Sequence, residues 1–117
     1  MSRRARTRGR SAAPSPKELD LIFRALGDHT RRRLVARLAQ GPAMITELAE
    51  PFALSLPAVS RHIRVLERAQ LIRRTVEGRV HRCALTPEGL RGADAWLEQY
   101  RRFWDSNLDA FATYVES

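Results

Sequence analysis

SLPAVSRHIRVLERAQLI, residues 55–72, opens on a serine and a proline and then sets aliphatic side chains at helical spacing among three arginines and a histidine. Ser55 suits an N-cap, and Pro57 suits a first helical turn, where a missing N–H leaves no bond unmade. At 100° per residue Val59, Ile63 and Leu66 fall in one narrow stripe, while Pro57, Arg61, Arg64 and Arg68 gather on the opposite side. The segment is therefore a helix with one face for a core and one cationic face. Taken alone it also describes an ordinary surface helix, so its neighbours decide.

Downstream, LIRRTVEGRVHRCAL (71–85) holds two β-prone runs around Glu77-Gly78 and reads as a hairpin, with Arg73, Arg74, Arg79 and Arg82 on its arms and near its tip. The loop could be two residues or four, which leaves the register open. Upstream, PKELDLIFRAL (16–26) puts Leu19, Ile22, Phe23 and Leu26 on one helical face and stops at Gly27. Asp28 then caps HTRRRLVARLAQG (29–41), whose buried stripe is Leu34, Val35 and Leu38 and whose Arg31, Arg32, Arg33 and Arg37 are expected in water. MITELAEPF (44–52) fits a third, short helix. Two helices joined by a tight turn and followed by a basic hairpin make a winged helix-turn-helix, so the expected fold is mainly α with a small β-hairpin. In that arrangement the helix of residues 55–72 enters a DNA major groove and the hairpin reaches a phosphate backbone or minor groove. Residues 57–82 hold seven Arg against two acidic residues, which places the charge where such docking needs it.

The charge balance of the whole chain supports a polyanion partner. The 117 residues carry a formal charge of +8, and it is polarised: residues 1–82 contain 18 Lys and Arg against 7 Asp and Glu, residues 83–117 only 3 against 6. The first sixteen residues, MSRRARTRGRSAAPSP, have no acid and little to bury, and are expected to form a disordered basic arm (1–16) ahead of a DNA-binding domain (17–85). No stretch approaches the roughly 18 apolar residues of a membrane span, and no secretory signal is present, so no membrane partner and a cytoplasmic location are expected. Cys83 is the single cysteine; with His81 it is too little for a tetrahedral metal site in one subunit. No nucleophile–base constellation or phosphate-binding glycine loop suggests an enzyme, and no cofactor is expected.

Residues 25–85, and most specifically ALGDHTRRRLV, LPAVSRHIRVLERAQLI and EGRVHRCAL, resemble the ArsR/SmtB family of bacterial winged-helix transcriptional regulators. The resemblance implies that SLPAVSRH is the N-terminal part of a recognition helix, with Leu56, Pro57, Ser60 and Arg61 at base- or backbone-contacting positions. By its chemistry Arg61 suits a bidentate contact to guanine, Ser60 can donate to base or phosphate, and Leu56 and Pro57 offer apolar surface to a thymine methyl. His62 lies nearer the buried side and is expected to pack against a helix. Metal-sensing members place paired cysteines in the helix corresponding to ELAEPFA, or Asp and His ligands in the C-terminal helix. This chain has neither set, so the resemblance implies a metal-independent member.

Residues 86–117, TPEGLRGADAWLEQYRRFWDSNLDAFATYVES, form the last expected element, a long helix begun by Thr86 and Pro87. Leu90, Ala93, Leu97, Tyr100, Trp104, Leu108, Phe111 and Val115 follow three-and-four spacing, a stripe too long for a small domain to cover. A homodimer through the N- and C-terminal helices, using Leu19, Ile22, Phe23, Leu97, Tyr100, Trp104, Leu108 and Phe111, would cover it. Two recognition helices would then read palindromic promoter DNA. The expected function is a sequence-specific, DNA-binding transcriptional repressor of the bacterial cytosol, nucleoid-associated when bound. The alternative is a protein-interaction adapter with the same fold that does not read DNA.

Overall fold

A computed structural model describes residues 13–116, so residues 1–12 of the expected basic arm lie outside the described residues. The Ser15 hydroxyl accepts the Glu18 N–H (3.1 Å) while the Glu18 carboxylate accepts the Ser15 N–H (2.7 Å). This reciprocal cap, with a proline in the first turn, starts α1 (Pro16–Leu26) within the stretch assigned to the arm. Asp28 starts α2 (His29–Leu38) by accepting the Arg31 N–H at 3.0 Å.

The arginines of α2 do not simply face water, as the sequence suggested. Arg31 donates to the carbonyls of Ala25 (2.8 Å) and Arg24 (3.0 Å), and Arg32 to that of Leu26 (2.8 Å). These are last-turn carbonyls of α1, which the helix leaves short of partners, although that of Arg24 also accepts the Gly27 N–H at 3.2 Å. Arg37 donates to the Gly41 carbonyl (3.2 Å), and the Arg33 guanidinium lies 4.5 Å from the centroid of the Phe52 ring. The short Gly27-Asp28 link folds the start of α2 against the end of α1, and helical spacing of the arginines carries no sign of that.

Next come a two-residue strand β1 (Ala43–Met44), α3 (Ile45–Ala49) and a 3-10 turn (Glu50–Phe52), followed by α4 (Leu56–Arg68). β2 (Ile72–Glu77) and β3 (Val80–Leu85) lead into α5 (Pro87–Glu116). The strands form an antiparallel sheet in the order β1-β3-β2. Pairing of Glu77 with Val80 settles the hairpin register and leaves Gly78 and Arg79 as a two-residue loop. Gly78 takes φ +63° and Arg79 does not turn positive, as in a II′ turn with glycine first. β1 escaped sequence reasoning because two residues carry no alternation.

The core is built from Leu34, Leu48, Val59, Ile63, Leu66 and Leu71, with Ile22, Ala25 and Ala93 bringing in α1 and α5. Cys83 is fully buried and packs in the core, and burial pushes its thiol up. α4 ends with Gln70 in the left-handed region (φ +59°); the Leu71 N–H reaches the Leu66 carbonyl and the Gln70 N–H that of Glu67. The Gln70 carbonyl in turn accepts the Thr86 hydroxyl and the Gly89 N–H, both at 2.8 Å, and so ties the start of α5 to the end of α4.

Along α5 the long apolar stripe divides. Ala93 is buried, and Trp96 packs edge-on against Phe23 of α1 with ring centroids 5.5 Å apart. Beyond it Leu97, Tyr100, Trp104, Leu108 and Phe111 are exposed. Ile22, expected at a dimer interface, is instead 4% exposed within the subunit. Its side chain is directed to Gly92 of α5, where an added Cβ would sit 3.0 Å from the isoleucine Cδ1.

Candidate nucleic-acid interface

α3, the 3-10 turn and α4 make the helix-turn-helix, and Ala53 reverses the chain between them in the left-handed region (φ 54°). The Ser55 hydroxyl accepts the Ala58 N–H (3.3 Å), so α4 starts where the sequence placed it. Val59, Ile63 and Leu66 are fully buried, and this anchors the helix with its other side outward. On that side Leu56, Pro57, Arg61 and Arg64 are exposed and Ser60 is half-buried. The Arg64 guanidinium donates to the Ser60 hydroxyl at 3.4 Å. His62 turns away: its Nδ1 is 3.2 Å from the Arg31 guanidinium and 4.0 Å from the Asp28 carboxylate. The Arg31 backbone N–H holds the Asp28 carboxyl below its usual value against the opposing effect of burial, with the Arg31 and His62 side chains adding to it.

The hairpin register sorts the wing arginines. Partners across an antiparallel pair share a face, so Arg74 lies with buried Cys83 on the inner side of the sheet, while Arg73 (opposite Ala84) and Arg82 (opposite Thr75) lie on the outer side. Arg74 is not a free cation as expected: it donates to the Glu67 carboxylate of α4 at 2.8 Å, with both side chains half-buried. Arg79 sits exposed in the II′ loop. Arg68 stands apart, in a crevice between α1 and the start of α5 that Leu21 and Gly92 also line. The structure therefore gathers Leu56, Pro57, Ser60, Arg74 and Arg79 around one cleft beside exposed Arg61. Arg73 and Arg82 are on another surface, Arg68 is at the far end of α4, and Arg74 serves as the brace between helix and wing.

Three participants were not singled out from the sequence for this site. Glu67 fixes the wing to α4 through Arg74, and Thr46 and His81 line the cleft with the start of α4. Their proximity arises from packing across elements, and no spacing along the chain signals it. Among the described residues, no group of three His, Cys, Asp or Glu side chains could hold a metal ion, and no helix is long and apolar enough to cross a membrane.

The chain is similar to known proteins in sequence and fold. A helix-turn-helix domain family matches residues 26–75. The chain is 39% identical over 98 residues to the HTH-type transcriptional regulator Rv2034 of Mycobacterium tuberculosis, covering 84% of this chain and 89% of that one. It is 28% identical over 87 residues to the transcriptional repressor SdpR of Bacillus subtilis, covering 74% and 97%. Among solved structures, that of an ArsR family transcriptional regulator superposes with a TM-score of 0.74 at 42% identity, covering 81% of this chain and 98% of the other.

Proposed function

Because this chain belongs to the ArsR family of winged helix-turn-helix transcriptional regulators, and is a DNA-binding regulator and not an enzyme, we propose that it represses transcription by occupying palindromic promoter DNA as a homodimer. The observation that carries this is the exposed start of α4, where Arg61 has no protein partner among the described residues and stands beside the cleft that Arg79 of the wing also lines. In this reading Leu56, Pro57, Ser60 and Arg61 meet base edges or the adjoining backbone in the major groove. Arg64 and Arg79 neutralise phosphates, and Arg73 and Arg82 are available to DNA only where the duplex wraps past the wing. Residues 17–85 serve as the DNA-binding domain and 86–117 as the dimerisation helix. The exposed stripe of α5, with Leu19 and Phe23 of α1, supports a two-fold contact between copies. The protein works without a metal, in the bacterial cytoplasm and on the nucleoid when bound.

The test is to map the DNA it protects upstream of its own gene and then measure affinity for that site and for random DNA across a salt series. A protected palindrome bound more tightly than random DNA, with affinity falling as salt rises, is expected. Equal affinity for both, or none for either, would favour the adapter instead.

A further inference from the structure

Arg31, at the start of α2, ties three elements together. Its Nε donates to the Ala25 carbonyl (2.8 Å) and its Nη2 to that of Arg24 (3.0 Å), both at the end of α1, while Nη1 lies 3.2 Å from Nδ1 of His62 on α4. A guanidinium offers donors only, so His62 Nδ1 is the acceptor and the proton of the neutral ring sits on Nε2. That bond belongs to the neutral imidazole alone. Once both ring nitrogens carry hydrogen, an Nδ1–H faces the guanidinium and two positive charges meet. The other charged group in reach is the Asp28 carboxylate, 4.0 Å from the same nitrogen and already accepting the Arg31 backbone N–H. Asp28 favours the protonated ring and Arg31 the neutral one, and only Arg31 is within hydrogen-bond distance. Among the described residues no charged side chain of α1, α3 or β2 bonds to His62, and on α4 itself the adjoining Arg61 is exposed. The His62 side chain is 24% exposed, so the ring can exchange a proton with solvent.

We propose that His62 is a positioning residue for the recognition helix: as a neutral acceptor it locks α4 to the corner between α1 and α2, and protonation of the ring releases that lock and weakens operator binding in mild acid. Its place gives the effect leverage. His62 directly follows Arg61, the exposed arginine of the DNA-facing side, and α1 packs against α5 through Phe23 and Trp96. The joint therefore lies between the helices of the proposed dimer and the helix that reads DNA, and imidazole is the side chain that changes charge between about pH 5 and 8. The inference rests on the DNA-binding reading of α4 and adds a residue that does not itself touch DNA. An extra positive charge acting through the field alone would have the opposite sign, strengthening binding to any DNA as pH falls.

The test measures the affinity of the full chain for operator and random duplexes, at constant salt, at about pH 8 and about pH 5.5. Between the two, wild type should lose about fivefold or more in operator affinity relative to His62→Asn, a usual size for coupling between sites. The Asn Oδ1 can stand where Nδ1 stands and accepts at either pH, so that variant should bind like wild type at the higher pH. His62→Leu, which has no acceptor, should bind the operator more weakly than wild type at the higher pH and show no comparable fall in acid. His29 and His81 are present in all three proteins, so the differences belong to His62. NMR of the imidazole nitrogens at the higher pH reads the tautomer directly, and Nε2–H is expected. A ring protonated on Nδ1, a fall in His62→Asn as large as in wild type, or a wild type that gains on His62→Asn in acid because Asp28 prevails, would each overturn the positioning role. Circular dichroism checks folding, and if His62→Leu does not fold, the tautomer and the comparison of wild type with His62→Asn still decide. Absence of operator preference over random DNA at the higher pH would instead overturn the DNA-binding reading, a result separate from the tautomer.

Discussion

Single side chains in this protein divide between holding helix ends and facing DNA, and charge alone does not tell which. Asp28 belongs to the first group. Asp28→Ala should cost about 1 kcal/mol at neutral pH, the usual worth of an N-cap, read from urea unfolding. Its carboxyl titrates below the usual 3.8 in the folded chain, so its contribution is fully present above that value and is lost as pH falls through the lowered one. The difference between wild type and variant should therefore shrink in acid, and a gap unchanged down to pH 2 would rule out the charged cap. Arg61 belongs to the second group. If it reads a base, Arg61→Ala should cost about 1–3 kcal/mol on the operator and relax preference at one position per half-site. Equal losses on operator and random DNA would reduce Arg61 to a phosphate contact.

Among the elements, the junction of α4 with α5 is the tightest. A Cβ added at Gly89 would lie 2.6 Å from the Ala69 carbonyl oxygen and 2.8 Å from that of Gln70, both backbone atoms that cannot swing aside. Glycine is needed there because the Gly89 N–H must approach the Gln70 carbonyl to 2.8 Å. Gly89→Ala should destabilise the fold by about 1–3 kcal/mol, the usual range for overpacking, in thermal or urea unfolding. Gly92→Ala is the internal comparison: its new methyl would meet the side chains of Ile22 and Pro14 at 3.0 and 3.3 Å, which can shift. It should cost less, and a Gly92→Ala variant less stable than Gly89→Ala would show that the junction is not held as described.

For the whole molecule, the thirty-residue α5 runs about 45 Å, far past its contact with α1. Phe103, Leu108, Phe111 and Val115 are each more than 60% exposed, and Trp104 is 37% exposed, so a single subunit leaves the distal stripe uncovered. Trp104→Glu would place a charge in the proposed seam between copies while leaving the core of residues 22–93 intact. A folded monomer in solution is expected. Its operator affinity should drop towards that of a single module, because only a dimer engages two half-sites about 34–36 Å apart together. Retention of wild-type affinity by such a monomer would defeat the dimer mechanism. Zinc, cadmium or arsenite at stoichiometric levels should leave operator affinity unchanged, and a tight site-specific complex that releases DNA would contradict metal independence.

Local regularities were legible from residues alone. Ser55 and Pro57 marked the start of α4, the Val59, Ile63 and Leu66 stripe its buried face, and Asp28 the start of α2, because caps and helical periodicity act over a few neighbouring positions. The hairpin was legible too, but its register was not, since either loop length suits Glu77-Gly78 and only pairing with β3 selects one. Tertiary packing decided the fate of the arginines: Arg31 and Arg32 close α1, Arg74 braces the wing on Glu67, and Arg61 and Arg79 stay exposed with no partner among the described residues. It likewise turned Ile22 into the subunit core and left Trp104 outside it. A charged or apolar side chain takes its role from what another element brings within about 4 Å, and that distance is set by how one element folds back on another, even across a link of a few residues.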